Sequence, residues 1–461
     1  MTLIKSISGI RGTIGGEKEN NLTPLDIVRF ASAFAQMIKE NDSERTTIVT
    51  GRDARISGEM VHELVNQTLI GMGVDVIDLG LSTTPTVAVM VPHFKAHAGI
   101  VLTASHNPKE WNALKLLNEL GEFIDAEAGS RVLQLAEKET FIYASVTDLG
   151  VLKKIYSAID LHINETLGLK WVQRERILKN KLKVVVDGVN STGGIAIPKL
   201  LDQLGIENIL IHCTPDGKFP HNPEPLKEHL TDLCQAVVMH KADFGIAVDP
   251  DVDRLVFVDE EGELFGEEYT LVACADYILS KTPGNTVSNL SSTRALADIT
   301  QKFGGVYSAS AVGEVNVVKQ MKASNAVIGG EGNGGVIYPD LHYGRDALVG
   351  VALFLSLLAE RQCTVSSLRS KYPSYFMSKN KITLTKGLDV DGILKTLEKK
   401  YSKEQISTVD GLKIDFETQW VHLRKSNTEP IIRIYTEATS QKDAEVLASR
   451  FVKEIQILIA S

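Results

Sequence analysis

The chain has 461 residues, 43% hydrophobic and 23% charged, with a formal net charge of −9. This is an ordinary globular composition long enough for three or four domains, so gross disorder is excluded, and its acidity argues against nucleic acid or a membrane as the main partner while leaving room for a small anionic ligand at basic loops. The four cysteines, Cys213, Cys234, Cys274 and Cys363, form no CxxC, so a disulfide framework or zinc site is not expected and a reducing cytoplasm fits.

The first residues, Met-Thr-Leu-Ile-Lys-Ser-Ile-Ser, lack the apolar core of a signal peptide. A helix is predicted from Leu22 to Glu40, with Thr23 as N-cap, Pro24 at N1 and an apolar stripe of Ile27, Phe30, Ala31, Phe34, Met37 and Ile38. A strand at Thr47–Thr50, a helix at Met60–Ile70, a strand at Val74–Leu79 and a further strand at Ala98–Leu102 follow. Such alternation implies a parallel or mixed sheet covered by helices.

The strand Ala98–Leu102 runs into Thr103-Ala104-Ser105-His106-Asn107-Pro108. A buried strand ending in a polar, proline-closed loop presents its hydroxyl at the carboxyl edge of the sheet, where open α/β proteins bind ligands. A serine there can carry a phosphoryl group. Lys115 lies just past this loop; most lysines are merely solvated.

The pattern recurs. Lys183–Asp187 opens a second unit that closes on Phe244–Val248 and Asp249-Pro250-Asp251-Val252-Asp253. Three carboxylates this close repel, by roughly 4 kcal/mol for two charges 4 Å apart at an effective dielectric of 20. A hard cation such as Mg²⁺, with oxygen ligands, removes that cost. A solvated acidic turn is the bland alternative. An EF-hand is disfavoured because Arg254 takes the position of its glycine and the flanks read as strands. Arg254 would balance charge or touch phosphate.

A third unit contains Gly329-Gly330-Glu331-Gly332-Asn333-Gly334-Gly335. It matches GxGxxG, but Val336-Ile337-Tyr338-Pro339 continues as strand or loop, not as the helix a dinucleotide site needs. The better reading is a close-approach loop in which Glu331 and Asn333 bond sugar hydroxyls. The run Ala347–Ala359 is too short to cross a bilayer and reads as a buried helix.

The last ninety residues alternate at Lys413–Phe416, Trp420–Arg424 and Ile431–Tyr435, predicting an antiparallel sheet, then a helix from Ser440 with Asp443 completing a capping box. Arg424-Lys425-Ser426-Asn427-Thr428-Glu429-Pro430 and Arg433 combine guanidinium forks with turn amides, a phosphate-binding chemistry. Gly9-Ile10-Arg11-Gly12 and Gly51-Arg52-Asp53-Ala54-Arg55 place arginines in loops that could equally be structural ion pairs, and His221-Asn222-Pro223 reads as a plain loop.

The set resembles the α-D-phosphohexomutase family over nearly the whole chain, with the motifs in order. The resemblance implies three similar mixed-sheet α/β domains and a C-terminal α+β lid around a central cleft, divided here at residues 1–150, 151–260, 261–371 and 372–461. It implies Ser105 as the phosphoserine, with Asp249, Asp251 and Asp253 holding Mg²⁺ beside it. It implies Glu331 in the sugar loop and Arg424, Ser426, Asn427, Thr428 and Arg433 in the phosphate loop. Arg11 matches an arginine near the phosphoserine, Lys115 a proposed general base, and His106 stands beside the serine in the same motif.

This chain departs from the family at Pro250 and Val252, often glycine, and at Asn333 and Gly335, where the family often has serine and histidine; His342 is a nearby substitute for the latter. The loop variants are most like the phosphoglucosamine mutase branch. The implied activity exchanges hexose 6-phosphate and 1-phosphate, in a cytoplasmic monomer or homodimer without nucleic-acid or membrane partners. A serine hydrolase lacks its GxSxG elbow here, and a non-catalytic sugar-phosphate sensor would not need to keep Ser105, the three aspartates and Lys115 together.

Overall fold

The alternating signals resolve into three sheets that share one motif. The computed structural model describes residues 2–6, 9–18, 20–40, 45–383, 389–425 and 431–460. The first sheet is ordered Ile4–Ser6, Gly9–Thr13, Trp111–Leu117, Ala98–Leu102, Thr47–Arg52, Asp75–Leu81, Leu152–Lys154. The second is Leu255–Val258, Phe244–Val248, Lys183–Asp187, Glu207–Ile211, and the third Gly335–Ile337, Ala326–Glu331, Asn285–Asn289, Tyr307–Ser310. Each includes an antiparallel strand followed by three parallel ones; the first sheet adds two antiparallel strands at one edge and a fourth parallel strand at the other. In each of the three the strand next to the antiparallel one leads to a loop that the sequence singles out: Ser105, Asp249 or Glu331. The internal repeat is therefore a shared topology, and its three loops leave equivalent sheet edges.

Ala98–Leu102 and Phe244–Val248 are buried along their whole lengths. Strands covered on both faces read as continuous apolar runs, as these do. Leu152–Lys154 pairs in parallel with Asp75–Leu81, so the first sheet extends past the division expected at residue 150.

The first helix spans Pro24–Glu40, two residues later than the pattern suggested, because the Leu22 amide is bonded to the Thr13 carbonyl. Thr23 and Asp26 cap it reciprocally. The helix Thr84–His93 gave no clear sequence signal; its β-branched residues and two prolines mask a segment that Thr83 caps through the Thr86 amide. The helix Ala347–Arg361 is buried from Ala347 to Ala359 and serves the second and third units together. Its Phe354 stacks on Phe257 at 3.7 Å and meets Phe244 and Phe265 edge-on. Each such side chain contributes about 1.5–3 kcal/mol by leaving water.

The fourth sheet is antiparallel: Phe376–Thr383, Ile431–Ala438, Trp420–Lys425, Leu412–Asp415, Gln405–Ser407. One face carries Val421, Leu423, Ile432 and Ile434 into a separate apolar core with the helices Val390–Lys400 and Gln441–Ala460. Ser440 caps the last helix: its Oγ accepts the Asp443 amide and donates to Asp443 Oδ2, side chain to side chain. Among the described residues no helix is long and apolar enough to cross a membrane.

Candidate active site

Ser105 is buried and adopts a left-handed backbone with φ 50°. A non-glycine residue held there stores about 1–3 kcal/mol unless its surroundings over-determine it, and such residues cluster at functional sites. Here Arg55 does the determining. Its guanidinium, fully buried, bonds the carbonyls of Ser105, Asn107, Pro108 and Trp111, while its Nε pairs with Asp53 at 3.0 Å. Asp53 in turn accepts from Thr103 Oγ1, whose oxygen accepts the Ser105 amide. The GRDAR segment is thus a structural staple for the serine loop.

The Ser105 hydroxyl donates to Asp249 Oδ2 at 2.7 Å. Asp249, Asp251 and Asp253 are all fully buried, with one oxygen from each within 4.8 Å of the others. Asp249 Oδ1 accepts the amides of Asp253 and Arg254, which curls the loop around it. Val252 at the tip has φ 64°, a strained state for a β-branched residue. Its amide bonds the Asp249 carbonyl and its own carbonyl accepts the Ala347 amide. Asp251 Oδ1 and Asp253 Oδ1 are buried without a hydrogen bond. Burial and the charges of Asp253 and Asp251 push the Asp249 carboxyl well above the ordinary range. Burial opposes ionisation of Asp251 as well, but Lys115 and Thr84 outweigh it and hold that carboxyl low. Orphaned, mutually repelling carboxylate oxygens in an all-oxygen set fit a hard divalent cation.

Lys115 Nζ lies 2.7 Å from Asp251 and 3.4 Å from Asp253. Burial alone would lower its pKa, yet Asp251 and Asp253 raise it overall, so in this pairing it is an ammonium. Arg11 pairs with Ala113 across adjacent strands, which places it on the same sheet face as Lys115; burial lowers its pKa. His106 accepts from Arg254 Nη2 at 2.8 Å, and Arg254 also pairs with Glu224 at 3.0 Å, a residue of the loop after His221-Asn222-Pro223. Burial, then Arg254 and Arg345, drives the His106 pKa well down, leaving a neutral ring.

Glu331 is 5% exposed. One oxygen accepts from Asn289 Nδ2 and the Gly313 amide, and the other pairs with Arg345 at 3.0 Å. Asn333 Oδ1 accepts the Gly335 amide. Gly334, at φ 89°, brings this loop against the aspartate loop: it accepts the Leu255 amide, and a Cβ there would lie 2.5 Å from the Leu255 carbonyl oxygen. His342 turns its Nε2 to Asp346 at 3.2 Å.

Arg424 and Arg433 form a second cluster, in the fourth sheet. They stand directly opposite on antiparallel strands, and Lys381 faces Arg433 from the other side. Like charges so placed destabilise a sheet unless an anion joins them. Arg424 also pairs with Asp410 at 2.8 Å. Asp410 accepts the Val312 amide and Glu331 the Gly313 amide, so one short loop connects the two clusters. Ser426, Asn427 and Thr428 lie outside the described residues.

The sequence did not reveal Arg345, Glu314, Thr84 or Lys381. Arg345 Nη2 donates to Asp253 at 2.7 Å and its Nε to Glu314 at 2.8 Å. It stood in the sequence only as the flank of an apolar run. Thr84 donates its hydroxyl and its amide to Asp251 from a helix the sequence did not show.

A serine held in a left-handed backbone, a buried aspartate trio that could hold a metal ion and a row of opposed cations are thus carried on a repeated α/β motif. Four family models match in order: phosphoglucomutase/phosphomannomutase alpha/beta/alpha domain I over residues 3–143, domain II over 162–262, domain III over 266–375 and the C-terminal domain over 380–454. A phosphoglucomutase/phosphomannomutase of Thermococcus kodakarensis is 37% identical over 95% of this chain and 94% of its own length. A phosphoglucosamine/phosphogalactosamine mutase of Sulfurisphaera tokodaii is 31% identical over 97% and 98%. The solved phosphoglucomutase/phosphomannomutase family protein from Burkholderia thailandensis superposes with a TM-score of 0.82 at 25% identity, covering 98% of both chains. The chain belongs to the phosphoglucomutase/phosphomannomutase family. It is a phosphohexomutase, an isomerase.

Proposed function

We propose that this mutase interconverts hexose 6-phosphate and hexose 1-phosphate through a phosphoserine at Ser105, with Mg²⁺ as the cation and glucosamine phosphate as the preferred substrate. The observation that carries the reading is the 2.7 Å bond from Ser105 Oγ to Asp249, inside a buried aspartate trio with orphaned oxygens. Asp249, Asp251, Asp253 and a phosphoserine oxygen would hold the cation, which supplies neutralisation of the charge on the transferring phosphoryl group.

In the forward step the Oγ–P bond of phosphoserine 105 breaks as a sugar hydroxyl oxygen bonds phosphorus, leaving a serine and a hexose bisphosphate. The hydroxyl proton passes to Lys115, which can accept it once Asp251 and Asp253 are committed to the cation rather than to its amine, and Lys115 then delivers it to the departing Ser105 Oγ. Arg254 and Arg11 steady the phosphoryl oxygens, and His106, as a neutral ring, orients Arg254. The bisphosphate turns over, and its other phosphate returns to Ser105 Oγ while Lys115 takes up the Ser105 hydroxyl proton and passes it to the departing sugar oxygen. Throughout, Arg424, Arg433, Lys381 and the loop of Ser426, Asn427 and Thr428 hold the phosphate that is not reacting, and Glu331 and Asn333 face the sugar hydroxyls.

The preference for an amino sugar draws on the sugar and phosphate loops, Gly329–Gly335 and Arg424–Pro430, and on Glu314 and Glu331, which share a single guanidinium and suit a substrate ammonium. The 37% identical relative favours a second reading, glucose or mannose phosphate. Coupled assays with the three 6-phosphates decide: kcat/KM highest for glucosamine 6-phosphate is expected, and equal or higher values for the neutral sugars select the second reading. Intact mass should show a substoichiometric shift of one phosphate that Ser105→Ala abolishes.

A further inference from the structure

The aspartate loop is gripped on two sides by elements from different units, and one histidine joins the two grips. On one side, Thr84 opens the helix Thr84–His93 and donates both its hydroxyl and its amide to Asp251. On the other, Ala347 opens the helix Ala347–Arg361 and donates its amide to the carbonyl of the left-handed Val252. That amide is one of the donors a helix start leaves without an internal partner, so it is free to hold the loop.

His162, fully buried on the helix Ala158–Leu167, spans the gap between these two helix starts. Its Nε2 lies 2.9 Å from Asp346 Oδ2 and its Nδ1 3.0 Å from Thr86 Oγ1. A carboxylate only accepts, so Nε2 carries a proton and donates to Asp346, while Nδ1 shares a hydrogen bond with the Thr86 hydroxyl. Asp346 uses its other oxygen to cap the helix through the amides of Leu348 and Val349. Thr86 Oγ1 bonds Thr83 Oγ1, which caps the Thr84–His93 helix. The relay Thr86–His162–Asp346 therefore fixes the separation of the two helix starts, and through them the pitch of the loop that carries Asp251 and Val252.

We propose that His162 is a positioning residue for the cation site, holding Asp251 and Asp253 so that their orphaned oxygens converge. The proposal rests on the reading of the trio as a metal centre. Partners behind metal ligands typically change affinity about 10–100-fold when removed.

The test is direct binding of Mn²⁺ to the dephosphorylated full chain, read by electron paramagnetic resonance and calorimetry without turnover. His162→Leu should weaken Mn²⁺ about tenfold. His162→Gln, which keeps a donor near the Nε2 position, should restore most of it, and Thr86→Val should weaken it about threefold while preserving shape. In Mg²⁺-limited assays the same variants should raise the Mg²⁺ requirement and leave KM for the hexose phosphate unchanged. Unchanged Mn²⁺ affinity in folded His162→Leu and Thr86→Val overturns the proposal; if His162→Leu does not fold, Thr86→Val alone decides. Absence of Mn²⁺ binding by the wild-type chain, or no loss in Asp251→Asn, overturns the metal centre itself and the positioning role with it; loss in Asp251→Asn alone overturns only the role of His162.

Discussion

Arg345 donates to Asp253 across 2.7 Å, joining the aspartate loop to the sugar loop through its second contact, Glu331 at 3.0 Å. With Glu314 it faces three carboxylates, and burial that would lower its pKa is overridden by Asp253, Glu331 and Glu314. The guanidinium is the counter-charge of the trio on that side, as Lys115 is on the other.

Arg345→Met should therefore destabilise the metal-free protein by about 3–5 kcal/mol, the cost of leaving buried charges unpaired. Added Mg²⁺ should recover part of this, because a cation on Asp253 replaces the lost charge. Urea unfolding in EDTA and in Mg²⁺ checks it. Equal destabilisation in both media would show that Arg345 and the cation do not share Asp253.

Ser105 gives a prediction in which stability and activity separate. Both Ser105→Gly and Ser105→Ala should lower kcat by at least about four orders of magnitude, the scale on which loss of a nucleophile acts. Yet glycine relaxes at φ 50° and alanine does not, so Ser105→Gly should be more stable than Ser105→Ala by about 1 kcal/mol. Matching urea midpoints for the two variants would mean that the backbone at this serine carries no strain.

The cation row predicts opposite effects on the free and bound protein. If Arg433 and Lys381 hold phosphate as proposed, Arg433→Leu or Lys381→Met removes a charged partner worth about 1.5–3 kcal/mol, so KM should rise about 10–100-fold with a smaller change in kcat. The substrate-free protein should be a few tenths of a kcal/mol more stable at low salt, since like charges across strands repel. A variant with unchanged KM would remove that residue from the phosphate site.

Ser105, the aspartates and Glu331 were legible because each ends an apolar strand in a polar loop, and a strand buried on both faces leaves an unmistakable run of apolar residues. Arg345 and Thr84 were not, because their roles depend on contacts across 92 and 167 residues of chain. Periodicity reports the neighbours within one element and is silent on which helix start will meet which loop. Arg55 shows the same limit: a local Asp53–Arg55 pair was foreseeable, but the four carbonyls it gathers from Ser105 to Trp111 exist only once the sheet has formed. The helix Thr84–His93 was hidden for a local reason, since prolines and β-branched residues argue against a helix until a cap and tertiary packing override them.

His422 joins the fourth unit to the third, and its titration should loosen that joint in acid. Its Nε2 donates to the Asp410 carbonyl at 2.7 Å and its Nδ1 accepts from Ser291 Oγ at 2.9 Å, so the neutral ring is fully bonded. Burial, only partly offset by the Asp410 carbonyl, pulls its pKa down to about 4 from the usual 6.5. The folded ring therefore binds fewer protons than the unfolded one between these values. Its contribution is fully present above about pH 6.5 and is lost progressively as pH falls towards 4, by about 3 kcal/mol in all. His422→Asn, which cannot take up the proton, should be less stable than wild type at pH 7.5 but should lose less on acidification. Urea unfolding of both proteins at pH 7.5 and pH 4.5 measures the difference. Parallel losses would show that this ring is not the group that titrates at the joint.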